Sequence, residues 1–236
     1  MTFYLIGIGL ADEKDITAKG LEAVKKAKKI YLENYTSMLQ CSVEDLERFY
    51  GRKVISADRE LVENRIDEVV SDGNALLIIG DVFSATTHIE LLLKAKEKKI
   101  ELQIINNASV LTAVGITGLE LYKFGRVISI PRDNENVDSP YKYYLENKKI
   151  GLHTLFLLDV APEFMTCREA SDYLIKKGLP ENTKVVCCAA LGSPKQKISY
   201  GKASEISVKG TPQCLIIPGK LHFKEEEALN LYAAKK

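Results

Sequence analysis

Apolar and polar positions alternate along this chain in a strand–helix rhythm that runs from end to end. Phe3–Ile6 is a short apolar run stopped by Gly7-Ile8-Gly9, the pattern of a strand closed by a turn. Thr17 precedes Leu21, Val24 and Ala27, which are spaced to share one helix face. Ile30-Tyr31-Leu32 is the next strand. After Asp58, a residue suited to an N-cap, Leu61, Val62, Ile66, Val69 and Val70 recur at helical spacing. Ala75–Ile79 is apolar at every position and ends at Gly80, as expected of a central parallel strand covered on both faces. The pattern then predicts a helix from Thr87 to about Lys99 and a strand over Leu102–Ile105.

The rhythm restarts after Asn106-Asn107. A small-residue helix is predicted over Ala108–Gly118, a strand over Val127–Ile130, and an exposed loop from Pro131 to Pro140. Leu155–Asp159 repeats the plan of the run that ends at Asp81: apolar strand, then acid. A helix over Cys167–Lys177 ends at Gly178, which suits a left-handed C-terminal position. Val185–Ala190, Ile198–Gly201, Ile206–Val208 and Cys214–Ile217 follow as strands without long helices between them. The fold class is therefore α/β, with two domains. Residues 1–107 form a mainly parallel sheet and residues 108–236 a mixed one.

Lys+Arg (33) and Asp+Glu (32) nearly cancel in the 236 residues, so no global field draws the protein to nucleic acid or a membrane surface. The chain opens directly in strand-like sequence, and no apolar run reaches the length of a bilayer span. A cytoplasmic protein is expected. The five cysteines are odd in number and form no CxxC pair, so they read as small apolar core residues in a reducing compartment. His88, His153 and His222 are scattered, without partners at ligand spacing, and no metal site is expected.

Gly7-Ile8-Gly9 invites a dinucleotide reading, and Glu33 lies about where a ribose-binding acid would sit. The third glycine of that fingerprint falls on Asp12, which would set a negative charge beside a pyrophosphate. A turn needing positive φ is the better reading. S-adenosylmethionine, a phosphate-free cofactor with a sulfonium cation, would tolerate these acids. Gly80-Asp81, at the carboxyl end of a central strand, is where ligands sit in open α/β sheets. Its carboxylate can accept from a hydroxyl or amino group and favours nearby positive charge. Asp81 is equally well read as a helix cap when taken alone. Ser84-Ala85-Thr86-Thr87 adds small hydroxyl residues beside it.

Several segments in order resemble one family. They are Tyr4–Leu10, Asp15–Glu22, Glu33–Ser37, Gly80-Asp81, Ala85–His88, Ala113–Leu119, Tyr122–Gly125, Gly151–Leu155, Leu158-Asp159, Gly192-Ser193 and Pro218–His222. Together they are similar to the archaeal and eukaryotic diphthine synthases, a branch of the tetrapyrrole methylase superfamily. Tyr-Lys-Phe-Gly, Gly-Leu-His-Thr-Leu and Pro-Gly-Lys-Leu-His point to this branch. The resemblance implies two α/β domains with the cofactor in the cleft between them, and a homodimer. It implies transfer of methyl groups, three in archaeal relatives, from S-adenosyl-L-methionine to the amino group of a modified histidine in translation elongation factor 2. S-adenosyl-L-homocysteine is then the product, and neither nucleic acid nor a membrane is a partner. Carried over position by position, the cofactor contacts fall on Leu10, Asp81, Ser84, Ser109, Val110, Leu158, Leu191 and Gln213. No general base is singled out.

Three positions depart from the family pattern. Val82 stands where proline usually follows Gly-Asp, Ala189-Ala190-Leu191 lacks an arginine common before Gly-Ser, and Gln213 replaces a common histidine. The alternative within the superfamily is a precorrin-type tetrapyrrole methyltransferase. A non-catalytic scaffold with a vestigial cleft is the alternative from another class.

Overall fold

The strand Thr2–Gly7 (β1) buries Phe3 and Leu5 on one side and Ile6 on the other. Both of its faces must therefore be covered. The computed structural model describes residues 2–84, 88–161 and 163–233, and the chain packs as two units, residues 1–111 and 112–236. In the first, β1 is followed by α1 (Ala18–Lys26), β2 (Ile30–Glu33), α2 (Val43–Tyr50), β3 (Ile55–Ala57), α3 (Ile66–Val69), β4 (Ala75–Ile78), α4 (Ile89–Glu97) and β5 (Glu101–Ile105). The strands form one parallel sheet in the order β3-β2-β4-β1-β5. The uninterrupted apolar run Ala75–Ile78 is its middle strand, fully buried as a two-faced strand must be.

Thr17 caps α1 by accepting from the Gly20 amide at 3.0 Å. The helix expected after Asp58 is corrected. Asp58 does accept from the Leu61 amide at 2.9 Å. The chain then makes a wide π-type turn over Glu60–Asn64, and Arg65 (φ −112°, ψ 33°) breaks it from the short α3. Thr87, the expected start of the next helix, lies with Ala85 and Thr86 outside the described residues; α4 runs from Ile89.

The second unit begins within α5 (Val110–Ala113). It continues through β6 (Ile128–Ile130), α6 (Ser139–Lys149), β7 (Thr154–Leu158), α7 (Cys167–Lys176), β8 (Lys184–Ala189), β9 (Lys197–Lys202), β10 (Gln213–Ile217) and α8 (Phe223–Asn230). Its sheet, ordered β6-β7-β10-β8-β9, is mixed: β6 and β7 pair in parallel and the other pairs are antiparallel. Helices α6 and α7 cover one face through Tyr144, Ala170 and Leu174. Ile206–Val208 is not a strand. Ile206 is buried, but the Val208 carbonyl accepts from the Gln213 side chain at 3.1 Å, which holds the segment as a loop.

The cysteine reading is corrected for one pair. Cys167, at the start of α7, and Cys187, in β8, are joined by a disulfide with Cα atoms 6.0 Å apart. Packing of α7 on the sheet brings these two buried sulfurs together from 20 residues apart, with no motif to announce it. Cys188 and Cys214 face each other across β8 and β10 as buried thiols. The Cys188 thiol is pushed well above its ordinary pKa by its hydrogen bond with Cys214 and then by burial.

β1 and β4 approach closely at their carboxyl ends. A Cβ on Gly7 would lie 2.7 Å from the Gly80 carbonyl oxygen and 3.2 Å from the Asn107 amide nitrogen, both backbone atoms. Gly7→Ala is expected to destabilise the first unit by about 1–3 kcal/mol through overpacking. Urea unfolding with an unchanged m value would register this; an unshifted midpoint would contradict it.

Candidate functional site

Helices α1 and α2 pack on one face of the first sheet, against Ile6, Leu32 and Leu77. Helices α3 and α4 pack on the other, with Leu5 and Ile78. The neighbouring strands β1 and β4 therefore send their following chain to opposite faces. Their carboxyl ends frame the crevice that open parallel sheets use for ligands.

Glycine shapes that crevice. Gly9 (φ 81°) and Gly80 (φ 91°) are both left-handed. They bond reciprocally, Gly80 N–H to the Gly9 carbonyl at 2.7 Å and Gly9 N–H to the Gly80 carbonyl at 3.3 Å. The turn beyond is held by Asp15, whose Oδ2 accepts from the Leu10 and Ala11 amides at 3.0 and 2.8 Å. Asn107 closes the frame from β5, donating through Nδ2 to the Gly7 and Asp15 carbonyls, both at 3.0 Å.

Asp81 sits half-buried in this frame with four donors on its carboxylate. Oδ1 accepts from the Phe83 amide and the Ser84 hydroxyl, both at 3.2 Å. Oδ2 accepts from the Asn106 side-chain amide and the Asn107 backbone amide, both at 3.0 Å. Burial alone would raise its pKa, but these hydrogen bonds outweigh it and hold the group below the usual carboxyl value. Asp81 is thus a fixed anion. Asp81 ties down its own turn and also accepts from the β5 end. Val82, the departure beside it, is fully buried in the core of the second face.

The other expected positions divide by unit. Leu10 is half-buried on the Asp15-held turn; Ser109 is buried, its hydroxyl accepting from the Leu111 amide at 3.1 Å; Val110 opens α5. Glu33 is fully buried, and its carboxylate accepts from the Tyr35 and Thr36 amides and the Thr36 hydroxyl. It caps its own loop. In the second unit Leu158 ends β7 beside Asp159, which accepts from the backbone amides of Arg132, Val160 and Ala161. Leu191 follows Ala190, a left-handed residue at φ 48°. Gln213 accepts from the Cys167 amide at 2.7 Å and donates to the Val208 and Gly210 carbonyls at 3.1 and 2.7 Å. Its side-chain capacity is committed to the loop before β10 and the start of α7.

The three segments that marked the branch converge on Glu225, which no sequence signal singled out. This buried carboxylate accepts from the Glu120 amide, the Lys123 ammonium, the His222 amide and His153 Nε2 (2.8 Å). The Gly219 amide donates to His153 Nδ1 at 2.8 Å, so the ring proton sits on Nε2. Tyr-Lys-Phe-Gly, Gly-Leu-His-Thr-Leu and Pro-Gly-Lys-Leu-His meet here as one buried structural node.

Among the described residues no His, Cys, Asp and Glu cluster could hold a metal, and no helix is long and apolar enough to cross a membrane.

Comparison with known proteins gives concordant matches. The family model described as Tetrapyrrole (Corrin/Porphyrin) Methylases matches residues 2–207. The diphthine methyl ester synthase of Aspergillus fumigatus is 43% identical over 86% of this chain and 82% of its own length. That of Saccharomyces cerevisiae is 41% identical over 86% and 79%. A crystal structure of a diphthine synthase, 34% identical, superposes with a TM-score of 0.91, covering 99% of this chain and 96% of its own.

The Glu225 node gives the second unit a pH signature. Burial first, against the pull of Glu225, lowers the His153 pKa below 6.5, so its contribution is complete above that value and is lost as pH falls through it. Burial would raise Glu225, but its donors hold it at about 2, below 4.5, so its contribution is lost as pH falls from 4.5. Unfolding free energy should therefore drop as pH falls below 6.5, and drop further below 4.5. His153→Gln should flatten the first step in denaturant titrations; an unaltered slope would exclude His153 as its source.

Proposed function

The chain belongs to the tetrapyrrole (corrin/porphyrin) methylases and is a methyltransferase, and from that premise we propose that it methylates a modified histidine of translation elongation factor 2. The methyl donor in this reading is S-adenosyl-L-methionine and the pathway is diphthamide synthesis, carried out by a cytoplasmic homodimer. One observation carries the reading: an ionised, fully hydrogen-bonded Asp81 at the ligand crevice of the parallel sheet. The branch assignment follows from relatives above 40% identity.

The residues around Asp81 fit that cofactor. Asp12, Asp15 and Asp81 line the strand-end turns, an environment that suits a sulfonium cation and would repel a pyrophosphate. When bound, the cofactor supplies an electrophilic methyl group on a good leaving group. The protein's part is alignment of the acceptor and exclusion of water. Asp81 accepts a hydrogen bond from the cofactor and keeps its charge at neutral pH. Leu10 supplies apolar contact from the Asp15-held turn, with Ser84, Ser109 and Val110 beside the same strand ends. In the second unit the proposed contacts are Leu158, Leu191 and Gln213, the last through its backbone because its side chain is engaged elsewhere. The names of the relatives carry a methyl ester, so the proposed acceptors include a carboxylate oxygen as well as the amine.

Incubation with methyl-labelled cofactor and modified elongation factor 2 should label the factor, and no transfer would overturn the substrate assignment. Mass spectrometry of the labelled peptide should show methyl additions of which one is lost in mild base, as an ester is. Asp81→Ala should reduce S-adenosyl-L-homocysteine affinity at least tenfold in calorimetry, the order expected when a charged hydrogen-bond partner is removed, in a protein that circular dichroism shows is still folded.

A further inference from the structure

A carboxylate offers about four lone-pair positions, and the protein fills all four on Asp81. A donor group on a bound molecule must therefore replace one of the protein's own donors. The four are not equally replaceable. Phe83 N–H and Asn107 N–H are backbone groups, fixed by the turn after β4 and by the end of β5. The Ser84 hydroxyl belongs to the same tight turn, where its own amide bonds the Asp81 carbonyl at 3.4 Å. Asn106 differs. Its residue is exposed, and its side-chain amide bonds only Asp81 among the described residues. Its neighbour Asn107 is the opposite case, its side chain tied to Gly7, Asp15 and the Ala108 amide.

We propose that Asn106 is an exchangeable donor, a side chain that occupies the ligand-facing position of Asp81 Oδ2 and swings into solvent when the cofactor's donor takes its place. The inference rests on the reading of Asp81 as a cofactor contact. In this arrangement the amide keeps the carboxylate satisfied and aimed, and every binding event begins by breaking one side-chain hydrogen bond. Asn106 therefore competes with the ligand rather than assisting it. The sign of its mutational effect is opposite to that of Asp81.

Calorimetric titration of the full chain with S-adenosyl-L-homocysteine tests this. Asn106→Ala should bind about five- to tenfold more tightly, the size expected from removing one competing, solvent-exposed hydrogen bond. Asn106→Asp gives a second readout. Two carboxylates at this spacing share a proton at acid pH, which blocks Asp81; both ionise as pH rises and the new one turns away. Its affinity should climb between about pH 5 and 8, where the unmodified protein stays level. Weaker or unchanged binding by Asn106→Ala, with Asp81→Ala impaired, overturns the exchange and leaves the cofactor reading standing. Unchanged binding by Asp81→Ala overturns both.

Discussion

Two backbone hydrogen bonds between Gly9 and Gly80 hold the ends of β1 and β4 together after the strands have stopped. The strands run in parallel, yet this last pair meets antiparallel, because both glycines turn the chain through left-handed φ. A side chain at either position would be strained, and one on Gly9 would overlap Asp15. The rest of the first site is assembled on this crossing. Asp15 gathers the amides of the turn beyond Gly9, Asp81 follows Gly80 directly, and Asn107 bridges from β5 to both sides.

Asp81 and Asp159 share one sequence plan. Each acid follows an apolar strand, and each is held below the usual carboxyl pKa, against burial, by donated hydrogen bonds. The donors differ. Asp159 accepts from three backbone amides of its own surroundings, including Arg132 from the neighbouring strand's loop, and so closes a turn. Half of the donors on Asp81 are side chains, which can rearrange. Adaptable partners, rather than charge or burial, distinguish Asp81 from Asp159.

Much of the frame was legible in the sequence because strand burial writes itself as apolar runs. Ala75–Ile78 and Thr154–Leu158 are examples, and the caps at Thr17 and Gly178 marked helix ends. Helix α6 was missed because two of its three buried positions are Pro140 and Asn147, so its inward face carries little apolar signal. The unpredicted α2 is only eight residues long, although Ser42 and Asp45 form its capping box. The break at Arg65 is a conformational event that helical spacing does not encode. At the site, Asp81 and Leu10 could be picked from strand ends. Asn106, Asn107 and Glu225 could not, since their roles come from partners up to 105 residues away.

The Glu225 node also bears on how the two units come into being on the ribosome. Asn107 completes the first unit's frame as soon as β5 has emerged. The second unit must wait for its carboxylate: Lys123 and His153 precede Glu225 by 102 and 72 residues. At ordinary elongation rates that interval is on the order of 4 to 20 s. Throughout it, Lys123 has only Glu120, three residues earlier, as a counter-charge, and the His153 imidazole destined for the interior must stay hydrated. The first unit's frame thus draws on residues no later than Asn107, whereas the second unit's node is closed from α8.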